Sequence, residues 1–233
     1  MQLHSPSKTK KLVIFGAGQF AEIAYELFTH DSPYEVVGFA VEGAYRKQTQ
    51  LFGLPVVAIE QVIEHFSPDT HEVYVAVVFN QLNRLRARLM TQAQQQGYRL
   101  ASYISSHAFV WPNVTFGKHC FVFEQNVLQP FVTIGDNAIL WSGNHIGHHT
   151  RIGDHVFVSS HVVISGQCHI GNHCFIGVNT AVANEVVIGD DCYINMSSCV
   201  TRNLEANKMY RGNPAAAYHD NARQKLAAAE GGG

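Results

Sequence analysis

The sequence predicts two architectures in succession: a small α/β unit, then a three-sided parallel β solenoid. Three observations carry this. Residues 12 to 103 alternate strand-like and helix-like stretches. From Ile104 onward an aliphatic residue or Phe recurs at every sixth position, through Val110, Phe116 and Val122 and on without a break to Val200. Gly117, Gly135, Gly153, Gly171 and Gly189 stand eighteen residues apart, each directly after one of those anchors. A six-residue period nested in an eighteen-residue one describes a coil of three short strands stacked on copies of itself. Stacked strands lie ~4.8 Å apart, so residues eighteen apart in sequence become neighbours in space.

In the first unit, LVIFGAGQFAEIAYELF reads as a buried strand, a glycine turn and a helix with apolar residues at helical spacing. YEVVGFA and EVYVAVVF are β-branched runs suited to a parallel sheet of three or four strands. NQLNRLRARLMTQAQQQG, Asn80 to Gly97, predicts an amphipathic helix closed by glycine. GAGQFA, between strand and helix, is a GxGxxA turn in which Gly16 and Gly18 let backbone amides approach a phosphate or sugar. The unit is too short for a full dinucleotide fold, which disfavours NAD.

Composition limits the function. Hydrophobic residues make up 46% of the 233-residue chain and charged ones 15%, as in ordinary globular proteins. A net charge of −2 argues against general nucleic-acid binding. The start, MQLHSPSKTKK, is basic, but the following apolar run, LVIF, is too short for a secretion signal or a membrane span. A cytoplasmic location is expected. The five cysteines form no CxxC pair, so free thiols are expected over zinc-ribbon or thioredoxin chemistry. Cys120, Cys174 and Cys192 share a column with Ala138 and Val156, four positions after the glycine-marked anchors, and are expected to fill a narrow core, as is Cys168 in another strand.

The chain has fourteen histidines, and the coil register sorts those of the solenoid. With each anchor as position zero, His107, His119, His149, His155, His161 and His173 fall at position three, with Asn113, Asn137, Asn179 and Asp191. Asn, Asp and His are the non-glycine residues most tolerant of positive φ, so turn geometry explains the column. His145 and His169 sit at position five, on outer strand faces. His148 alone occupies position two, at a corner, and eighteen residues on is Gly166. A histidine beside a bare backbone N–H supplies a base next to an oxyanion donor, as acyl transfer requires.

These residues resemble the left-handed β-helix, or hexapeptide-repeat, acyltransferases, and more narrowly the sialic-acid O-acetyltransferase-like family with its nucleotide-amino-sugar N-acetyltransferases. IFGAGQFAEIA, GYRLASYISSHAFV, NHIGHHTRIGDH and YRGNPAAAY carry the resemblance along nearly the whole chain. It implies a flexible N-terminus (1–11), a Rossmann-like nucleotide-sugar-binding domain (12–103), a left-handed parallel β-helix acyltransferase domain (104–205), and a C-terminal tail with a short helix (206–233). In that family a histidine five residues before an IG glycine is the general base. Five before Gly153 is His148. The amide implied as oxyanion donor maps onto Gly166. The family places Asp or Glu directly after the base; here His149 stands there. Its usual glycine turn reads like GAGGHA, against GAGQFA here, and its acid after the second strand is displaced to Glu42, beyond Val41.

The resemblance implies an acyl-CoA-dependent N-acyltransferase, with acetyl-CoA as donor and no metal, acting on a nucleotide-linked amino sugar in surface polysaccharide biosynthesis. Catalysis would involve His148, Gly166 and His149. Gly166, Val178, Met196 and Arg211 would meet coenzyme A, whose pantetheine arm runs along an edge such as that of Val178 and Met196. Gly16, Gly18, Glu42 and Asn80 would meet the nucleotide sugar, although Asn80 also suits a plain helix cap. Arg202 and Lys208 join Arg211 as cations for coenzyme A phosphates. A homotrimer is expected, with Trp141, His145 and His169 facing outward. Three alternatives stay open. A sugar O-acetyltransferase shares every motif. A zinc hydratase of carbonic-anhydrase type needs two histidines five apart, which this chain lacks. A non-enzymatic scaffold binding a nucleotide sugar is the third.

Overall fold

The computed structural model describes residues 6–230. The chain divides into two compact units: residues up to Val78 with Leu85–Ser105, and Phe79–Arg84 with everything from Ser106 onward. The first five residues of the expected flexible N-terminus, and the final glycine triplet, lie outside the described residues.

The first unit runs β1 (Lys10–Phe15), α1 (Gln19–His30), β2 (Tyr34–Val41), β3 (Gln50–Leu51), β4 (Leu54–Ala58), α2 (Val62–His65), β5 (His71–Val75), α3 (Asn80–Gln95) and β6 (Arg99–Leu100). The sheet has six strands in the order β3-β4-β2-β1-β5-β6, more than the three or four expected. All pairs are parallel except β3 with β4. The additional strands are too short or too interrupted to show a period. β3 and β4 form a hairpin closed by Phe52 and Gly53, both at positive φ, and Pro55 breaks the apolar run of β4. Central β1 buries Leu12 to Phe15 completely.

The expected helix from Asn80 has an irregular start. Gln81, Leu82 and Asn83 have φ of 51°, 50° and 66°, a left-handed turn before the regular helix. Such backbone costs about 1–2 kcal/mol per non-glycine residue, so packing must hold it. Leu82 and Asn83 are fully buried, and Asn83 Nδ2 donates to the Cys174 carbonyl at 3.3 Å. Phe79 packs against Phe157 and Phe175, and Arg84 pairs with Asp191. The hexapeptide anchors cannot reveal this docking, because it uses a segment distant in sequence.

His173 is part of that contact, its Nδ1 lying 3.2 Å from the Leu82 carbonyl oxygen. Burial, with the Arg84 guanidinium beside it, holds the His173 imidazole below its ordinary value against the opposing pull of the Leu82 carbonyl, Asp191 and Asp190. An imidazole with a depressed folded pKa stabilises the fold fully above the unfolded value of about 6.5, and that contribution is lost as pH falls below it. Thermal melts should therefore show a falling Tm between pH 7 and pH 5, and His173→Gln should flatten that slope. One proton limits the difference to about 1.4 kcal/mol per pH unit.

In the solenoid each coil contributes one two-residue strand to each of three faces, as Ile139–Leu140, His145–Ile146 and Arg151–Ile152 do. Partners in successive coils are eighteen apart, with Val127 beside His145 and His145 beside Val163. The fourteen anchors from Val122 to Val200 are at most 2% exposed. The first three are not core: Ile104 is 38% exposed, and Val110 and Phe116 are half-buried. Cys120, Ala138, Val156, Cys174 and Cys192 are all fully buried, and Cys168 nearly so, as the register predicts. Every position-three residue from His119 to Ser197 has positive φ, which bears out the turn reading of that histidine column; His107 and Asn113, in the first coil, do not share it. The period-eighteen glycines follow from coil stacking: a Cβ on Gly153 would lie 2.7 Å from Asn172 Oδ1 and 3.0 Å from the Gly171 carbonyl carbon.

The three faces differ outside. One carries an aromatic stack through Phe157, Phe175 and Tyr193. A second shows an aliphatic column of Phe109, Val127, His145, Val163 and Ala181. The third, mostly polar, shows Thr115, Thr133, Arg151, His169 and Val187. Beyond Val200, the strand Met209–Arg211 adds in parallel to Tyr193–Ile194, Ala216–His219 pairs antiparallel to it, and α4 spans Ala222–Glu230.

Candidate active site

His148 lies on the edge between the aliphatic and the polar face, after the strand His145–Ile146. Its position is fixed through the backbone: its N–H donates to Gln129 Oε1 at 2.9 Å, and its carbonyl accepts the Gln167 N–H at 2.8 Å. The ring is exposed and lies over Gly166, where a Cβ would sit 2.7 Å from both Nε2 and Cε1. The absence of a side chain at Gly166 is what makes room for the imidazole. The stacking inferred from the eighteen-residue offset is therefore present.

His148 Nδ1 lies 3.1 Å from His149 Nδ1. Among the described residues neither imidazole bonds a carboxylate. Of two facing nitrogens only one carries a proton; with Nδ1–H on His148, the lone pair of its Nε2 points to the Gly166 side. His149 is steadied by stacking on Phe131, with ring centroids 4.5 Å apart. The Gly166 N–H donates to Asn184 Oδ1 at 2.9 Å, a partner the sequence reading did not include.

The other expected contacts divide. Val178 and Met196 share the edge between the aromatic and aliphatic faces, so within one chain they stand on a different edge from His148 and Gly166. Arg211 places its guanidinium 4.5 Å from the Tyr218 ring centroid, and Lys208 pairs with Glu205. Trp141, His145 and His169 do not share a face. Trp141 packs on Phe123 and Phe157, while His145 and His169 belong to the aliphatic and polar columns. Residues at spacings of four and twenty-four fall on different sides when the strand period is six.

In the first unit a cavity of about 410 Å³ is lined by Ala17, Gly18, Val41, Tyr45, Lys47, Gln48 and Val56. It lies where β1 and β2 end, as ligand sites in parallel sheets do. Gly18 has open space around its Cβ position, whereas a Cβ on Gly16 would lie 2.7 Å from the Ala76 carbonyl oxygen. Gly18 thus leaves open space beside the cavity, and Gly16, at φ +133°, serves the turn. Glu42 does not line the cavity; both its oxygens accept from Arg88, at 3.0 and 2.9 Å. Asn80 belongs to the segment grouped with the solenoid. Tyr45, Lys47 and Gln48 were missed, and the signal for them was the loop after the second strand, which holds a cation next to an aromatic. Among the described residues no three His, Cys, Asp or Glu side chains gather to hold a metal, and no helix is long and apolar enough to cross a membrane.

Residues 131–166 and 167–202 each match the family described as Bacterial transferase hexapeptide (six repeats). Both matches fall within the solenoid and lie end to end along it. No curated protein matches the chain. Solved structures do. The acetyltransferase domain of PglB from Neisseria gonorrhoeae in complex with acetyl coenzyme A is 23% identical, covers 89% of this chain and 98% of its own, and has a TM-score of 0.77. A mutant of perosamine N-acetyltransferase from Caulobacter crescentus in complex with CoA and GDP-perosamine is 25% identical, covers 93% of this chain and 100% of its own, and has a TM-score of 0.78. WeeI from Acinetobacter baumannii is 20% identical over 90% of this chain and 100% of its own, with a TM-score of 0.66. The hexapeptide-repeat domain of this chain is accordingly the left-handed parallel β-helix, preceded by a Rossmann-like α/β unit.

Proposed function

We propose that the protein is an acyl-CoA-dependent N-acyltransferase that moves an acetyl group from acetyl-CoA to the amine of a nucleotide-linked sugar for surface polysaccharide. The observation that carries this reading is the His148 imidazole filling the space that a side chain on Gly166 would take, a candidate base beside a candidate oxyanion donor on an exposed edge. The perosamine enzyme, similar over 93% of this chain, is crystallised with CoA and GDP-perosamine, the two ligand classes the reading requires. The sugar amine attacks the thioester carbonyl carbon, and its proton passes to His148 Nε2. The carbonyl oxygen becomes an oxyanion held by the Gly166 N–H. Collapse breaks the C–S bond, and the departing thiolate takes the proton from His148. His149, accepting from His148 Nδ1, keeps the ring oriented through the cycle.

The cavity beside Gly18 suits the nucleotide, with Lys47 toward phosphate and Tyr45 toward the base. The Val178 and Met196 edge and the His148 and Gly166 edge both border the aliphatic face. Copies joined through that face bring one edge of each toward the other edge of its neighbour, so a homotrimer completes the coenzyme A groove with Arg211 available to its phosphates. Five free thiols, four of them buried, fit a reducing cytoplasm.

The test is to mix the protein with acetyl-CoA and uridine, thymidine and guanosine diphosphate amino sugars and to follow free thiol, with the matching hydroxyl sugars as a second arm. Thiol release with an amine acceptor supports the reading; release with hydroxyl acceptors alone turns it into O-acylation, and none with either removes it. Gly166→Ala should lower kcat by about ten- to a hundredfold, because the new methyl displaces the imidazole from its position. Steady-state kinetics beside an unchanged Tm checks this.

A further inference from the structure

The Gly166 N–H assigned to the oxyanion is already in use: it donates to Asn184 Oδ1. On the edge between the polar and aromatic faces the same bond is a repeated lock, in which a position-two side chain reaches back one coil to a position-two amide. Lys118 N–H donates to Asp136 Oδ1 at 2.7 Å, Asp136 to Asp154 at 2.7 Å, Asp154 to Asn172 at 2.8 Å, and Asn172 to Asp190 at 2.6 Å. The His148 edge breaks that series. Gly166 has no side chain with which to reach His148, whose N–H takes Gln129 Oε1 from the preceding coil instead. Asn184 alone keeps the lock on this edge, on the one amide that the reaction needs open. Gly166 is buried and Asn184 is exposed, so the carboxamide can swing into water without opening a cavity.

We propose that Asn184 is a positioning residue that plugs the acyl-carbonyl subsite, its Oδ1 holding the Gly166 N–H until the thioester oxygen of the acyl donor replaces it. The inference rests on the acyl-CoA reading given above. The exchange swaps one acceptor for another on the same donor, so acetyl-CoA binds against the resting bond, whereas CoA, which lacks the carbonyl, binds with Asn184 in place. Once the C–S bond breaks and the acetyl group leaves, Oδ1 recaptures the N–H. Asn184 thereby narrows the difference in affinity between substrate and product.

The experiment is calorimetry on the full chain and on Asn184→Ala and Asn184→Asp, using CoA and a non-hydrolysable acetyl-CoA in which methylene replaces sulfur. In Asn184→Ala the carbonyl-bearing analogue should bind about three- to tenfold more tightly than in the parent protein, with CoA unchanged, since a net hydrogen bond is at stake. KM for acetyl-CoA should fall while kcat does not. In Asn184→Asp the N–H is held by a charge-assisted bond and a carboxylate faces the incoming oxygen, so the analogue should bind about tenfold more weakly or worse. Equal changes for the two ligands in Asn184→Ala, or weaker binding of the analogue there, overturn the role of Asn184 while leaving the acyl-CoA reading intact. Failure of both ligands to bind the parent protein overturns that reading and the plug together.

Discussion

His148→Ala should lower kcat by about a hundredfold or more, the low end of what a positioned general base contributes. Affinity for CoA should stay near that of the parent protein, because the imidazole serves the reacting amine and not the pantetheine. Both neighbours that hold His148 do so through its backbone, Gln129 through the N–H and Gln167 through the carbonyl, so the alanine variant keeps the coil as it is. The ring is exposed, and its removal leaves no cavity. A change in Tm of more than a degree or two would therefore point to a structural part for the residue, and near-parental turnover would remove His148 as the base. The informative companion is His149→Glu. A carboxylate there can hold a positive imidazole, which a second imidazole cannot, so this variant should keep or raise kcat where His149→Ala loses it. Equal losses in both variants would show that His149 acts by packing on Phe131 and not by orienting His148.

The solenoid was legible because coil stacking turns sequence spacing into spatial contact. His148 and Gly166 are eighteen apart, and that alone placed one over the other; the same arithmetic put Cys120, Cys174 and Cys192 in the core and five of six position-three histidines in left-handed turns. Where contact depends on anything other than the period, the sequence was silent. The left-handed turn at Gln81 to Asn83 exists because Leu82 and Asn83 are buried and meet His173 and Cys174, 91 positions away, while Arg84 pairs with Asp191. No local propensity favours it, and the run NQLNRLRARL reads as helix from its first residue. Glu42 was expected to meet the nucleotide sugar because it follows the second strand, yet Arg88, on a helix far along the chain, takes both its oxygens. Asn184 went unnoticed for a different reason. Its offset from Gly166 is the same eighteen that paired Gly166 with His148, but an Asn near a corner reads as one more turn residue until the direction of its side chain is known.

Val163→Glu should dissociate the homotrimer proposed above and abolish most of its activity, through a surface that touches neither substrate in the proposed mechanism. Val163 is 46% exposed in the isolated chain, between His145 and Ala181 in the aliphatic column. Phe109, at the start of that column, is 57% exposed. A largely apolar stripe of this kind, interrupted by His145, along a rigid sheet face marks an interaction surface, whereas the neighbouring face offers Thr115, Thr133, Arg151 and His169 before its one exposed aliphatic residue, Val187. A carboxylate placed in the stripe is solvated in the free chain and unpaired in the joined one, a penalty of about 3–5 kcal/mol for each such charge. Light scattering should then give the mass of one chain at concentrations where the parent protein, on the proposed assembly, gives the mass of three, with the melting temperature of the isolated fold little changed. Turnover should fall by about a hundredfold, because the edge of Val178 and Met196 is no longer aligned with a neighbour's His148 and the acyl donor is misplaced by more than an ångström. Arg151→Glu, a change at an exposed position on the polar face, should do neither. A Val163→Glu chain that is monomeric yet fully active would mean that one copy holds the complete groove, and Val178 and Met196 would then have no part in binding coenzyme A.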